Sequence, residues 1–349
     1  MSFRLILASA SLFALTACQA PAPAPAGSPE PTEAAAPQPL LTASQIEAGL
    51  PRPDLRPARP PSGDAAPAAY APDAGMVRLQ ILLDRSRFSP GVIDGLGGEN
   101  TRQAIAAWRK ANGLGETGDA DAALLQALAA ADTSPVMTRY TLTAADLAGP
   151  FSPPAGADLA TTARAGTNFT GALERLAERF HVTEALLQGL NPGVDFRRAG
   201  QILVVPAVND TPLTGVAHIV IDKTERSARA FDEAGTLLAF YPATIGSSER
   251  PAPSGTVTVV GVAPEPNYTY DPDRVSYDRG DARIVVPAGP NNPVGTVWID
   301  LSRDTYGIHG SPDPSKIGKT ASNGCVRLTN WDAEQLAAGV KPGVVVRFI

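Results

Sequence analysis

The sequence predicts a mainly β C-terminal domain preceded by a small three-helix domain and a small α+β module. Three observations carry that reading. From Gly215 to the last residue, short apolar segments follow one another with Gly, Pro and Asn between them, which is the signature of strands joined by hairpins and loops. Upstream, in 75–131 and 137–208, apolar residues recur instead at the three-and-four spacing of helices packed on one face. Ahead of both lies a Pro- and Ala-rich stretch with almost no periodic apolar pattern.

Residues 1–17 read as a secretory signal, with Met1-Ser2-Phe3-Arg4, an apolar run from Leu5 to Leu15, and then Thr16-Ala17. The run is too short and too briefly flanked to be a stable membrane span. Leu15-Thr16-Ala17-Cys18 resembles the lipobox of bacterial lipoproteins. That resemblance implies acylation of Cys18, which becomes the mature N-terminus; two or more acyl chains anchor durably where one is marginal. An ordinary secretory signal with a chance cysteine is the alternative. Gln19, in place of an acidic residue, favours the outer membrane in a host with two membranes. The expectation is an exported, periplasmic protein held to a membrane by lipid. Residues 18–74 would be its tether: 14 of the chain's 34 prolines fall between Gln19 and Ala74, and such a stretch buries too little surface to offset its ordering entropy. A short helix is expected within it at Ala43 to Ala48.

With a formal charge of -6 and a pI near 5.2, nucleic acid is excluded as a partner, because phosphate binding needs a concentrated basic surface. Three scattered histidines, with no His-Glu-x-x-His and no cysteine cluster, supply no metal ligand set, and no cofactor is expected. If Cys18 carries lipid, Cys325 is the one thiol left, with no intramolecular disulfide open to it.

In 75–131, Val77, Leu79, Ile81, Leu82 and Leu83 give a first helix, with turns following at Ser89-Pro90-Gly91 and Asp94 to Gly98. Thr101 is expected to cap the next helix, whose Ala104, Ile105, Trp108 and Ala111 form a stripe; a third runs from Asp119 through Leu128. Pro90-Gly91-Val92-Ile93-Asp94-Gly95 followed by Thr101-Arg102-Gln103-Ala104-Ile105 resembles a peptidoglycan-binding domain, which implies contact with glycan strands. A three-helix packing unit without a retained site is the bland alternative.

In 137–208, Leu173, Leu176, Ala177 and Phe180 mark one helix, and Thr183-Glu184 opens another carrying Leu186, Leu187 and Leu190. Asn191-Pro192-Gly193 turns the chain toward a strand at Gln201 to Pro206. This resembles the second half of a LysM module, another glycan binder, although Pro150 to Gly166 reads as loop and the usual opening motif is missing. His181 at a helix end reads as a surface or C-terminal-turn residue complementing the helix dipole.

From 215 to 349, strands are expected at Val216–Ile221, Ala228–Phe231, Leu237–Ile245, Thr256–Val262, Arg283–Val286, Thr296–Asp300 and 343–348. Thr329-Asn330-Trp331-Asp332 fits a capping box that opens a helix stopped by Gly339. Three blocks stand out: Pro287 to Thr296, Tyr306-Gly307-Ile308-His309-Gly310-Ser311, and Ser322-Asn323-Gly324-Cys325-Val326-Arg327-Leu328. In this order and spacing they resemble the L,D-transpeptidase catalytic domain, also called the YkuD domain, over about Ala217 to Ile349. The resemblance implies a β-sandwich. Asn323 stands where many members have His, so any role of a second histidine is absent.

A thiol with an ordinary pKa near 8.5 is largely protonated at neutral pH, so a nucleophilic Cys325 needs an imidazole to take its proton. His309, sixteen residues upstream on an expected neighbouring strand end, is the histidine placed to do so. Its second nitrogen needs an orienting partner, and a backbone carbonyl or the Ser311 hydroxyl could serve. Asn323-Gly324-Cys325 could offer backbone N–H groups to an oxyanion, with Gly324 allowing unusual φ. Gly310 belongs to the same substrate-positioning set. Arg327 could hold a substrate carboxylate or brace the loop, the second being preferred because it faces opposite to Val326 and Leu328. Ser322 is a brace or a substrate contact. His218, opening a distant strand, is expected to be structural.

The resemblance also implies the substrate. Cys325 would attack a peptidoglycan stem peptide at the L-centre carbonyl of diaminopimelate, releasing D-alanine. The thioester would pass to the amine of a second stem peptide or of an acceptor lipoprotein. Transfer to water would make the protein an L,D-carboxypeptidase or a lipoprotein-releasing hydrolase, and a non-enzymatic peptidoglycan tether is the third alternative.

Overall fold

The computed structural model describes residues 38–51, 70–154, 156, 158–209, 211–275 and 280–349. The signal and Cys18 lie outside them. Among the described residues no helix is long and apolar enough to cross a membrane.

The helical part opens with α1 (Ala43–Ala48), α2 (Ala74–Arg85), α3 (Glu99–Ala111) and α4 (Ala122–Ala131). The expected short helix at 43–48 is present, but it does not belong to a free tether. Thr42 caps it in a capping box, Ile46 is fully buried, Glu47 accepts from the Met137 backbone, and Leu40 N donates to Gly189 O. The extended reading therefore fails over 38–51, because Ile46 inserts into the same core as Leu79, Leu83 and Leu187. Thr101 is not the cap of α3. Gly98 occupies that position, and Thr101 is buried in the helix with its hydroxyl accepting from Gln80.

Next come β1 (Met137–Thr141), α5 (Ala144–Leu147), α6 (Leu159–Ala165), α7 (Ala172–Arg179), α8 (Glu184–Leu190) and β2 (Ile202–Pro206). Strands β1 and β2 pair antiparallel around the α7–α8 pair, and Asn191 ties the α8 C-terminus to β2 through bonds to Val204 N and O. The 150–166 segment is not all loop, since α6 forms within it, capped by Asp158.

The β domain contains β3 (His218–Asp222), β4 (Ser227–Phe231), β5 (Leu237–Pro242), β6 (Thr244–Ile245), β7 (Gly255–Pro264), β8 (Tyr268–Tyr270), β9 (Ile284–Val286), β10 (Val297–Leu301), β11 (Gly307–His309) and β12 (Val326–Arg327). The helix α9 (Asn330–Gly339) and β13 (Val345–Phe348) complete it. Nine strands form one sheet in the order β5-β4-β3-β13-β7-β10-β11-β12-β6. The long β7 pairs with β13 through its first half and with β10 through its second, so the sheet folds over and both halves face one core. The two ends of the order, β5 and β6, are separated in sequence by Ala243 alone, which brings the sheet back on itself. Strands β8 and β9 form a separate hairpin.

The helical modules are built onto this domain. Phe240 N donates to Arg87 O and Ser89 N to Phe240 O, so residues 87–89 extend the outer edge of β5. Phe240 is fully buried in the helical core. Asn100 and Gln103 of α3 reach the Ile317 and Glu225 carbonyls. From the 150–170 segment, Thr167 donates to the Pro287 and Ala288 carbonyls, while Leu159 packs with Tyr270 and Val286 against the β8–β9 hairpin.

Candidate active site

The blocks singled out in the sequence meet where β11 and β12 run parallel, with Ile308 opposite Val326 and His309 opposite Arg327. Alternation along the strands turns Ile308, Val326 and Leu328 into the core, where all three are fully buried. His309, Arg327 and Cys325, two residues before Arg327, therefore share the other face. All three line one cavity of about 590 Å³, together with Trp298, Asn323, Arg250 and Leu159.

The Cys325 turn is held from below. Ser322 N donates to Gly246 O, and the Ser322 hydroxyl donates to the Cys325 carbonyl at 2.6 Å, which makes Ser322 a brace. Gly324 has φ +101, and a Cβ there would sit 2.7 Å from the Tyr306 ring. Both facts require glycine, one through backbone strain and the other through close approach. The Cys325 thiol points toward the Thr305 carbonyl, 3.6 Å away.

His309 is almost fully buried and stacks on Trp298, with ring centroids 5.4 Å apart. Gly307 makes room for that indole, because a Cβ at 307 would lie 2.4 Å from it. His309 Nδ1 is 2.7 Å from the Gly310 carbonyl, which can only accept, so Nδ1 carries the proton and Nε2 keeps its lone pair. The orienting partner is thus the backbone carbonyl, and the Ser311 hydroxyl instead accepts from Asp313 N. Burial, helped by the nearby Arg327 charge, pushes the His309 pKa down to about 3 against the pull of the Gly310 bond. Burial pushes the Cys325 thiol up, opposed by a hydrogen bond from the Gly307 backbone and by the Arg250 and Arg327 charges. Both groups are therefore neutral at rest. The arrangement brings an imidazole with a free Nε2 lone pair and a protonated thiol into one cavity.

Several residues at the site escaped sequence reasoning. Trp298 could have been found by its place directly opposite His309 in the β10–β11 register, but that register is a tertiary fact. Arg250, which lies 5.3 Å over the Tyr306 ring and bonds Thr305 Oγ1, comes from a distant loop. Leu159 comes from another module altogether. Of the other histidines, His218 stacks on Phe231 as a structural residue. His181 is at the C-terminal turn of α7 but not on the surface. It is buried with φ +54, pairs with Asp84 at 3.0 Å and stacks on Trp331. Among the described residues no group of His, Cys, Asp and Glu could hold a metal ion.

A closed β domain carrying a neutral thiol and imidazole in one cavity, with helical modules built onto its edge, defines the class of protein. The sequence profile described as "L,D-transpeptidase catalytic domain" matches residues 216–347, and that described as "Putative peptidoglycan binding domain" matches 72–128. The chain is 31% identical over 176 residues to the "Putative L,D-transpeptidase YkuD" of Bacillus licheniformis, covering 50% of this chain and 91% of that one. It is 31% identical over 191 residues to the "Probable L,D-transpeptidase YcfS" of Escherichia coli, covering 52% and 60%. A crystal structure of L,D-transpeptidase 3 from Mycobacterium tuberculosis, in complex with a faropenem-derived adduct, matches at 18% identity and TM-score 0.33, covering 43% of this chain and 74% of that one. The chain belongs to the YkuD-type L,D-transpeptidase family and is an L,D-transpeptidase enzyme.

Proposed function

We propose that the protein acts on peptidoglycan stem peptides with Cys325 as nucleophile and His309 as general base. The observation that carries this is the Nδ1 bond to Gly310, which leaves Nε2 of His309 as an unprotonated acceptor in the cavity that holds the Cys325 thiol. As Cys325 Sγ attacks the L-centre carbonyl of diaminopimelate, the thiol proton passes to Nε2. The tetrahedral intermediate collapses to a thioester, and the same proton leaves with the amine of D-alanine. An incoming amine reverses the sequence, giving its proton to Nε2 and forming an amide while the thiol is restored.

In this reading backbone N–H groups at Asn323, Gly324 and Cys325 receive the developing oxyanion. Gly310 and Ser311 hold the base, and Ser322 the nucleophile turn. Arg327, half-buried beside both reacting groups, suits a bracing role and lowers the cost of negative charge on sulfur. The 72–128 domain and the LysM-like module supply glycan contacts that keep the catalytic domain on the cell wall. Export and lipidation at Cys18 would place the enzyme in the periplasm on a membrane anchor.

The test is mass spectrometry of a tetrapeptide muropeptide incubated with the purified full-length chain, with and without an acceptor amine. Dimers or amine adducts with loss of D-alanine support transfer, and tripeptide alone identifies a hydrolase. Unchanged turnover in Cys325→Ala or His309→Gln overturns the assignment, and sacculus binding without any turnover identifies a tether.

A further inference from the structure

Asn330, the first residue of α9, lies 2% exposed between the β domain and α7 of the LysM-like module, and its side chain makes contacts on both sides. Its Oδ1 accepts from Ser311 N at 3.1 Å and from Thr296 N at 3.3 Å. Its Nδ2 donates to the Glu178 carboxyl oxygens at 2.9 and 3.2 Å and to Pro290 O at 3.2 Å. The site is built around this amide, since a Cβ at Gly295 or Gly310 would fall 2.1 or 2.3 Å from Oδ1.

Ser311 N–H and Gly310 C=O belong to the same peptide unit, which is planar, with the two groups pointing to opposite sides. Fixing the N–H on Asn330 Oδ1 therefore aims the carbonyl, and that carbonyl is the one 2.7 Å from His309 Nδ1. Which way the Asn330 amide faces is decided at its two ends, where the Ser311 and Thr296 N–H groups can only donate to Oδ1 and the Pro290 carbonyl, with a Glu178 carboxyl oxygen beside it, accepts from Nδ2. We propose that Glu178 and Asn330 are positioning residues, through which the docked LysM-like module fixes the peptide plane that holds the His309 tautomer. The catalytic base is then set correctly only when α7 is seated against α9. This rests on His309 being the base.

Glu178 is partly buried, and burial, with Glu174 and Glu334 nearby, pushes its carboxyl up to about 8, opposed by the Asn330 bond and by His181. Its charge is therefore disfavoured where it sits, and what it gives Asn330 is a carboxyl oxygen that accepts from Nδ2. Glu178→Gln keeps an acceptor without charge, whereas Glu178→Leu removes it.

The experiment measures kcat and KM for transfer between tetrapeptide muropeptides in the full-length chain, alongside the downfield proton resonance of His309 Nδ1–H by NMR. Glu178→Leu and Asn330→Ala are expected to lower kcat about tenfold, the equivalent of one positioning hydrogen bond, with KM within about twofold. Their Nδ1–H resonance should be lost while thermal melts still show a folded chain. Glu178→Gln should retain both kcat and the resonance.

An unchanged kcat in Glu178→Leu overturns the inference, as does an equal loss in Glu178→Gln, or a change confined to KM. If Glu178→Leu fails to fold, Glu178→Ala, which removes the acceptor without adding bulk, must show the same loss of kcat that the inference requires. Full activity in His309→Gln would instead sink the base assignment itself.

Discussion

Asp332 offers a prediction whose size can be worked from the structure. Its carboxyl is buried on α9, accepts a hydrogen bond from Ser89, and faces Asp84 and His181 across the junction of the three modules. Burial first, and then the Asp84 charge, raise its pKa to about 7 from 3.8, opposed by Thr329, His181 and Ser89. Between these values the folded chain keeps a proton that the unfolded chain has released. Unfolded chains then bind fewer protons than folded ones, and the sign of the linkage makes stability fall as pH rises from about 4 to 7. Near 1.4 kcal/mol for each pKa unit, the full loss from this one group is about 4 kcal/mol, an upper figure because Asp84 and His181 adjust with it. Asp332→Asn keeps the shape and the acceptor for Ser89 but holds no titrating proton. Urea melts of both chains at pH 5 and pH 8 make the test: the variant should exceed the wild type by about 1.5 kcal/mol at pH 5 and by about 4 kcal/mol at pH 8. A variant equally destabilised at both values, or a smaller decline in wild type than in Asp332→Asn, would refute the account.

Cys325 should react slowly with iodoacetamide at pH 7 and accelerate only above the range of a free cysteine, since its thiol is raised; fast alkylation at pH 7 would mean a resting thiolate. Ile46→Ala should cost about 2–5 kcal/mol in urea melts because Ile46 is fully buried; a loss under about 0.5 kcal/mol would return 38–51 to the tether. Gly324→Ala combines strain at φ +101 with contact on Tyr306, and should lower kcat by at least tenfold; unaltered turnover would show the turn to be pliable. Leu159→Arg places a charge in the wall of the cavity and should raise KM for stem peptides, an effect absent if that wall is not used.

Much of this molecule was legible in its residues. The expected strands of the β domain lie within a few positions of their apolar segments because those segments supply buried side chains, whereas the short β8, β11 and β12 carry too few such residues to stand out. Cys325 and His309 stand in blocks whose spacing is local, and the structure brings the two to one cavity. Asn330 was read only as part of a capping box. Half of that box forms, with Thr329 accepting from Asp332 N, but the Asp332 carboxyl turns instead to Ser89. Glu178, Trp298 and Leu159 were out of reach for a common reason: each acts across a contact between segments distant in sequence, and nothing in its own neighbourhood marks it. Thr101 and the 38–51 segment were misread because local chemistry, a hydroxyl before a stripe and a run of prolines, was overridden by burial against other elements.

The two-bond graft of residues 87–89 onto β5 bears on how the chain can be divided. Cutting at Gly215 would strip Phe240 of its cover and leave its N–H and C=O unmatched on the outer edge of β5, a template for association with other chains. The helical module thus covers a stretch of strand edge that the catalytic domain on its own would present to other chains.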